Sequence, residues 1–208
     1  AHFATSFAES RKDEGEIEVL RGPLMPMGDS AELRRLLLAV SEGKTLLAAP
    51  GTALNDVHVI RPQLAQGLRL SHSFYWNMDA ESRAWSMRFY QRTGAMPSDL
   101  QAGVYSSLIH YFKAVKATGS DDGPTVVKKM RELPIRDPIV RNARLREDGR
   151  MVHDVYLLRV KAPSEVKEPW DYLEILNSVP GDRAFRPMAE GGCPLVQGAS
   201  SGAPSPAR

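Results

Sequence analysis

The chain has 208 residues, 42% hydrophobic and 25% charged, ordinary globular values that let most of it fold around a core. Its 27 Lys and Arg are interspersed with 25 Asp and Glu, so the net charge is only +2 and no basic stripe forms, which argues against a nucleic-acid partner. No apolar run approaches the roughly 18 residues of a membrane span. The start, Ala1-His2-Phe3-Ala4-Thr5, lacks the basic and apolar regions of a signal peptide and reads as part of something longer.

Phe3, Phe7 and Ala8 have helical spacing and predict a short helix over 2–14, ended by Gly15. Glu16-Ile17-Glu18-Val19-Leu20 alternates polar and apolar and predicts a strand. Asp29 or Ser30 can cap a helix over about 31–42 with Leu33, Leu36, Leu37 and Val40 on one face. Thr45–Ala49 is a short strand candidate closed by Pro50-Gly51, and a further strand lies near 67–76.

Asp79 is the cap of a helix over about 80–93, closed by Gly94. Ser98-Asp99-Leu100-Gln101 has the S-x-x-Q form of a capping box, and Leu100, Val104, Leu108, Tyr111 and Val115 then share one stripe as far as Gly119. Asp121 or Asp122 starts a helix near 124–132, with Pro134 beyond it. Asp148-Gly149 is a hairpin turn signal before a strand at 151–161. Residues 168–176 fit a strand or a helix. From 197 to 208 the chain is Gln, Gly, Ala, Ser, Pro and Arg without apolar period, the composition of a disordered tail. Alternation of helices and strands argues for an α/β fold.

The common catalytic signatures are absent: no G-x-S-x-G, no G-x-x-x-x-G-K-[ST] and no H-E-x-x-H. His2, His58, His72, His110 and His153 share no metal-ligand spacing. His153-Asp154 would point to opposite faces of a strand, which spoils it as a base and its orienter. Ser120-Asp121-Asp122-Gly123 lacks the alternation and closing Glu of a calcium loop. The expectation is a protein that is not an enzyme and has no cofactor or metal.

A series of blocks carries a resemblance. They are Asn55-Asp56-Val57-His58, Gln66-Gly67-Leu68 and Ser73-Phe74-Tyr75-Trp76-Asn77, then Ser82-Arg83-Ala84-Trp85-Ser86-Met87-Arg88-Phe89. Met96-Pro97-Ser98 with Gln101–Ser106, Asp148–Asp154, Lys167–Tyr172 and Cys193-Pro194-Leu195-Val196 follow. In order and spacing they resemble the C-terminal portion of periplasmic solute-binding proteins of the branched-chain amino-acid (Leu/Ile/Val) type. The resemblance implies a type I periplasmic binding protein fold: a C-terminal lobe with an incomplete N-terminal part. It implies a segment at 1–50 leading into the second lobe, a ligand-binding lobe over 51–196, and the tail at 197–208. It reads residues 55–77 as strand-loop-strand. Between about 28 and 50 the residues are too few for the family's strand and helix, which points to an internal deletion.

Family members have two α/β lobes joined by hinge strands that close on a ligand and deliver it to a membrane permease. The implied function is the substrate-binding component, here shortened, of an ABC importer for branched-chain amino acids or related carboxylic or aromatic acids. It would be periplasmic and would meet the membrane only through the permease. A sensory or regulatory domain of the same fold and a truncated product without a transport role are the alternatives. Ligand contacts are expected from Phe74, Tyr75 and Trp76 at a strand end facing the cleft, from Gln101 and Tyr105 at a helix start, and from Asn55 in a loop at a strand end. Each has a plain alternative: core packing for the aromatics, the capping box for Gln101, a turn for Asn55. Trp85 and Trp170 read as packing residues. Cys193 either pairs with a cysteine of the other lobe in longer relatives or is a plain unpaired thiol.

Overall fold

Residues 46–194 and 196 are described in the computed structural model, and Leu158 and Val160 on its central strand are fully buried. The expected helices over 2–14 and 31–42, the strand at 16–20 and the tail at 197–208 lie outside the described residues. The first described segment runs beside a strand: the Ala49 N–H donates to the Arg69 carbonyl and the Arg69 N–H to Leu47, each at 2.8 Å, a parallel pairing. A turn at Pro50-Gly51 ends it.

Two short helices follow, α1 (Leu54–Ile60) and α2 (Pro62–Ala65). This corrects the strand-loop-strand expectation for 55–77. Leu54 and Val57, one turn apart, enter the core, and the Asp56 carboxylate accepts from the Ala53 N–H at 2.8 Å, so the local chemistry is that of a helix start. Arg61 takes φ 75° between the two helices, and Pro62 opens the second at a position where its missing N–H costs nothing.

The sheet has three strands, β1 (Arg69–His72), β4 (Val155–Val160) and β5 (Leu173–Val179), in the order β1-β4-β5. Both pairings are antiparallel, with Leu70 opposite Leu158 and Leu158 opposite Ile175. Residues 168–176, ambiguous in sequence, thus contribute the start of β5. The expected strand at 151–161 is broken. β2 (Arg144–Leu145) and β3 (Met151–Val152) form a small hairpin across Gly149, whose φ is 79°, and the chain jogs at His153-Asp154 before joining the main sheet as β4. The jog is held by Asp154, whose carboxylate accepts from the Gly181 N–H at 3.2 Å. Gly181 opens the short helix α6 (Gly181–Ala184), and an added Cβ there would lie 2.7 Å from Val152 and 2.8 Å from the His153 carbonyl oxygen.

Between β1 and β2 stand the helices α3 (Ala80–Thr93), α4 (Asp99–Thr118) and α5 (Gly123–Glu132). Their ends follow the sequence signals. Asp79 accepts from the Ser82 N–H at 2.8 Å, Ser98 and Gln101 form the capping box, and Asp122 accepts from the Thr125 N–H at 3.0 Å. Gly94 and Gly119 close α3 and α4 in the left-handed conformation.

The apolar stripe of α4 does not face inward. Its buried side is Ala102, Ser106, His110 and Ala114, whereas Leu100, Val104, Leu108 and Tyr111 are exposed. The inner face is small and polar because it meets hydrogen-bonding groups. Ser106 donates to Asp137 at 2.7 Å, and His110 Nε2 lies 2.8 Å from the Met130 carbonyl at the end of α5.

Candidate functional site

The residues singled out from sequence gather where β1 leaves the sheet. His72, the last residue of β1, is buried with Nε2 2.7 Å from the Thr52 carbonyl. Phe74, Tyr75 and Trp76 follow and are all buried. They split between two aromatic groups. Phe74 meets Trp85 of α3 edge-on at 5.6 Å, and Trp85 meets Tyr105 of α4 at 5.0 Å, so this column ties the sheet end to the helices. Trp76 and Tyr75 instead face the segment between β4 and β5.

That segment, residues 161–172, acts as a strap. Trp76 Nε1 donates to the Trp170 carbonyl at 2.8 Å, and the Tyr75 hydroxyl reaches the same carbonyl and the Asp171 carboxylate, each at 3.4 Å. The Leu173 N–H donates back to the Tyr75 oxygen at 3.4 Å. Arg83 of α3 lies over the Trp76 ring at 4.9 Å, donates to Asn77 at 2.9 Å, and holds both oxygens of Glu168 at 2.8 and 3.0 Å. Trp170 adopts φ 71°, a conformation rare for a bulky residue that persists only where its surroundings over-determine it. Its ring stacks on His58 of α1 at 3.9 Å, and His58 Nδ1 is 2.9 Å from the Tyr172 hydroxyl.

The strap and β5 frame a recess of about 490 Å³ lined by Tyr75, Asn77, Lys161, Lys167, Asp171 and Leu173, among others. Lys161 and Asp171 form a well-shielded ion pair at 2.6 Å. Burial pushes the Tyr75 phenol far above its ordinary value of 10; the Leu173 N–H opposes it in part, and the neighbouring Asp171 charge adds to the rise. Tyr75 therefore stays a protonated donor. The recess offers both signs of charge around a phenol, which suits a polar or zwitterionic group. A larger cavity, about 910 Å³, lies at the β2–β3 hairpin beside Arg146, Arg150, His153, Phe185, Arg186 and Cys193, and includes none of the expected site residues.

Of the six expected residues, Tyr75 lines the smaller recess, while Phe74 and Trp76 are enclosed in packing. Tyr105 is half-buried against Trp85. Gln101 is exposed on α4, and its Oε1 accepts from the Ser98 N–H at 2.9 Å, completing the cap. Asn55 lies in the first turn of α1 rather than in a loop at a strand end, because the Asp56 cap starts the helix at Leu54. Its buried Oδ1 has no hydrogen-bond partner. Sequence reasoning did not single out Arg83, Lys161, Glu168, Asp171 or His58 as site residues. The Lys167–Tyr172 block carried the only signal, with charge and aromatic rings mixed in one short stretch. Among the described residues, no three His, Cys, Asp or Glu side chains come together in a metal-holding group.

The chain has the type I periplasmic binding protein fold, which the family and solved structures it matches share. The family model described as "Periplasmic binding protein" matches residues 40–165, and the chain belongs to that family, a family of transport binding proteins rather than enzymes. A periplasmic binding protein from Burkholderia mallei is 40% identical, over 81% of this chain and 46% of its own, with a TM-score of 0.71. A branched chain amino acid ABC transporter periplasmic ligand-binding protein from Burkholderia xenovorans LB400 is 33% identical with a TM-score of 0.73 and the same coverage, 81% and 46%. The branched-chain amino acid transporter substrate binding protein LivJ from Streptococcus pneumoniae, in complex with isoleucine, shares the fold at 13% identity, TM-score 0.53, over 72% of this chain and 41% of its own. No curated protein matches the chain. The chain thus spans a little under half the length of these solved relatives.

Proposed function

We propose that this chain supplies part of the substrate-binding component of an ABC importer for branched-chain amino acids or related carboxylic or aromatic acids. The observation that carries the reading is the 33% identity, over 81% of the chain, to the Burkholderia xenovorans ligand-binding protein of a branched-chain amino-acid transporter. The chain works in the periplasm, performs no catalysis, and meets a membrane permease after its ligand is captured. Capture is lobe closure, a hinge equilibrium displaced by contacts that exist only in the closed state.

Asn55 lies outside the Tyr75 recess, and its role as a contact rests on a buried Oδ1 that has no partner and that a ligand ammonium or hydroxyl would satisfy. Tyr75 contributes its phenol to the recess, and Gln101 contributes the amide nitrogen that its cap leaves uncommitted. Phe74, Trp76 and Tyr105 contribute through the walls they stiffen rather than by touching ligand.

The test is thermal unfolding of the purified chain with branched-chain amino acids and aromatic acids added singly. A ligand at about 100 times its dissociation constant adds about 2.7 kcal/mol of stability. A cooperative transition raised by one class, with the shift reduced in Asn55→Ala, is the expected result. A cooperative transition that no ligand of either class moves would overturn the reading for this chain.

A further inference from the structure

The cavity of about 910 Å³ at the β2–β3 hairpin shares no lining residue with the Tyr75 recess. Its floor is held by bonds. Arg146 donates from Nε to one Asp148 oxygen at 3.0 Å and from Nη2 to the other at 2.5 Å, in a pair shielded from solvent. Arg146 Nη1 also donates to the Arg186 carbonyl at 2.9 Å, which ties the hairpin to the segment after α6. The Arg150 N–H donates to Asp148 at 3.2 Å, and Gly149, with φ 79°, makes the turn between them. Arg150 Cζ then lies over the Phe185 ring, 5.5 Å from its centroid, and the His153 ring meets the same ring edge-on at 5.1 Å. His153 Nδ1 is 2.8 Å from the Asp154 carbonyl, which can only accept, so Nδ1 carries the ring proton and Nε2 is left for another group.

The charges around this cavity do not balance. Arg146, Arg150 and Arg186 line it, against the two carboxylates of Asp148 and Glu190. Asp148 is committed to Arg146, and Glu190 has a partner of its own. Among the described residues, no carboxylate pairs with Arg150 or Arg186. Other arginines of the chain are matched: Arg83 holds Glu168, Arg141 holds Asp79, Arg144 holds Asp182, and Arg159 holds both Glu165 and Glu174. We propose that the cavity is a binding site for a phosphate group, separate from the Tyr75 recess. Two unmatched guanidinium groups bring two positive charges, which a dianion neutralises and a single carboxylate does not. The planar fork of each can grip two oxygens of such an anion at once. The Arg146–Asp148 floor and the ring beneath Arg150 hold the donors in place beforehand, so less ordering is left to the binding step. The space is much larger than a phosphate ion, and Met151, Ala184 and Phe185 supply apolar wall beside the charges. A phosphate monoester with a small apolar remainder therefore fits better than the free ion. The proposal does not depend on the transport reading.

The test titrates the purified full chain with sodium phosphate, phenyl phosphate, sodium acetate and sodium chloride, all at one ionic strength. Thermal unfolding and the phosphorus NMR line width are the readouts. A saturable rise in midpoint is expected with both phosphates and not with acetate or chloride. Phenyl phosphate should bind at least about five-fold more tightly, from the apolar area it covers. Arg150→Gln and Arg186→Gln should each weaken binding by about ten-fold, the loss of a charged hydrogen-bonding group, and Arg150→Lys should weaken it less. Both side chains are exposed, so without phosphate each variant should unfold within about 2 °C of the unsubstituted chain. Arg92→Gln, at an exposed position of α3, should leave binding unchanged. No saturable rise, a rise equalled by acetate, or one that persists in Arg150→Gln and Arg186→Gln would overturn the proposal. Equal affinities for the two phosphates would keep the site and name free phosphate as its ligand. The amino-acid and aromatic-acid shifts are read against Asn55→Ala, so failure of either reading leaves the other standing.

Discussion

Replacing Trp76 by phenylalanine tests whether the strap is held by a specific bond or only by general burial. The substitution removes the Nε1–H that donates to the Trp170 carbonyl at 2.8 Å, leaving that carbonyl only the Tyr75 hydroxyl at 3.4 Å. The net bond is worth about 1 kcal/mol, and a buried carbonyl left short of a donor adds about 1 kcal/mol more. The lost ring atoms leave a void in a fully buried position, adding about 1 kcal/mol. The total, about 3 kcal/mol, corresponds to a fall of roughly 6–12 °C in unfolding midpoint for a chain of this size. The control is Trp85→Phe. Trp85 is also buried, but its described contacts are with rings, at 5.0 to 5.9 Å, so only the volume change applies, about 1 kcal/mol. The assay is thermal unfolding followed by circular dichroism, with hydrogen exchange of the 168–173 amides as a local readout. If Trp76→Phe fell no further than Trp85→Phe and the strap amides kept their protection, the hydrogen bond would not be what fixes the strap.

Asp137→Ala strands the Ile139 and Val140 N–H groups and the Ser106 hydroxyl, which now donate at 2.7, 3.0 and 2.7 Å, and should cost about 3 kcal/mol in denaturant unfolding. Asp137→Asn, able to accept from the backbone and donate to Ser106, should recover at least half of that; equal losses would refute the bonding account. Gly181→Ala should lower stability by about 1–3 kcal/mol, because its Cβ would press on Val152 and the His153 backbone, and an unchanged midpoint would refute the packing argument. Arg159 draws the Glu165 carboxyl down to about 2, and Glu174 shares the same guanidinium. A depressed carboxylate stabilises above its unfolded value of about 4.3 and loses that effect as pH falls through the folded one. Stability should therefore drop between about pH 4.5 and 2, and Glu165→Gln should flatten that slope without steepening it elsewhere.

Helix ends were the most legible part of the sequence because their signals are local. Asp79, Ser98 with Gln101, and Asp122 each satisfy backbone donors within three residues, and Gly94 and Gly119 each relieve a left-handed residue. Where the outcome depended on a distant partner, the pattern misled. The run 151–161 alternates like one strand, yet Gly181, nearly thirty residues on, packs against the His153 backbone and splits it between two sheets. Residues 55–58 took their expected strand from neighbouring blocks, while the Asp56 cap made a helix of them. The aromatic trio follows β1 by two residues, and its burial depends on Arg83 and Trp85 of the next helix and on Trp170, which is distant in sequence.

The stripe on α4 shows what such a pattern measures. Leu100, Val104, Leu108 and Tyr111 recur at helical spacing, and that spacing fixes which residues share a face without fixing which face turns inward. The same reasoning bears on the ligand site. A pattern of residue types does not say which groups are already paired: the Asn55 oxygen has no partner, whereas Tyr75 and Asp171 are bonded to each other.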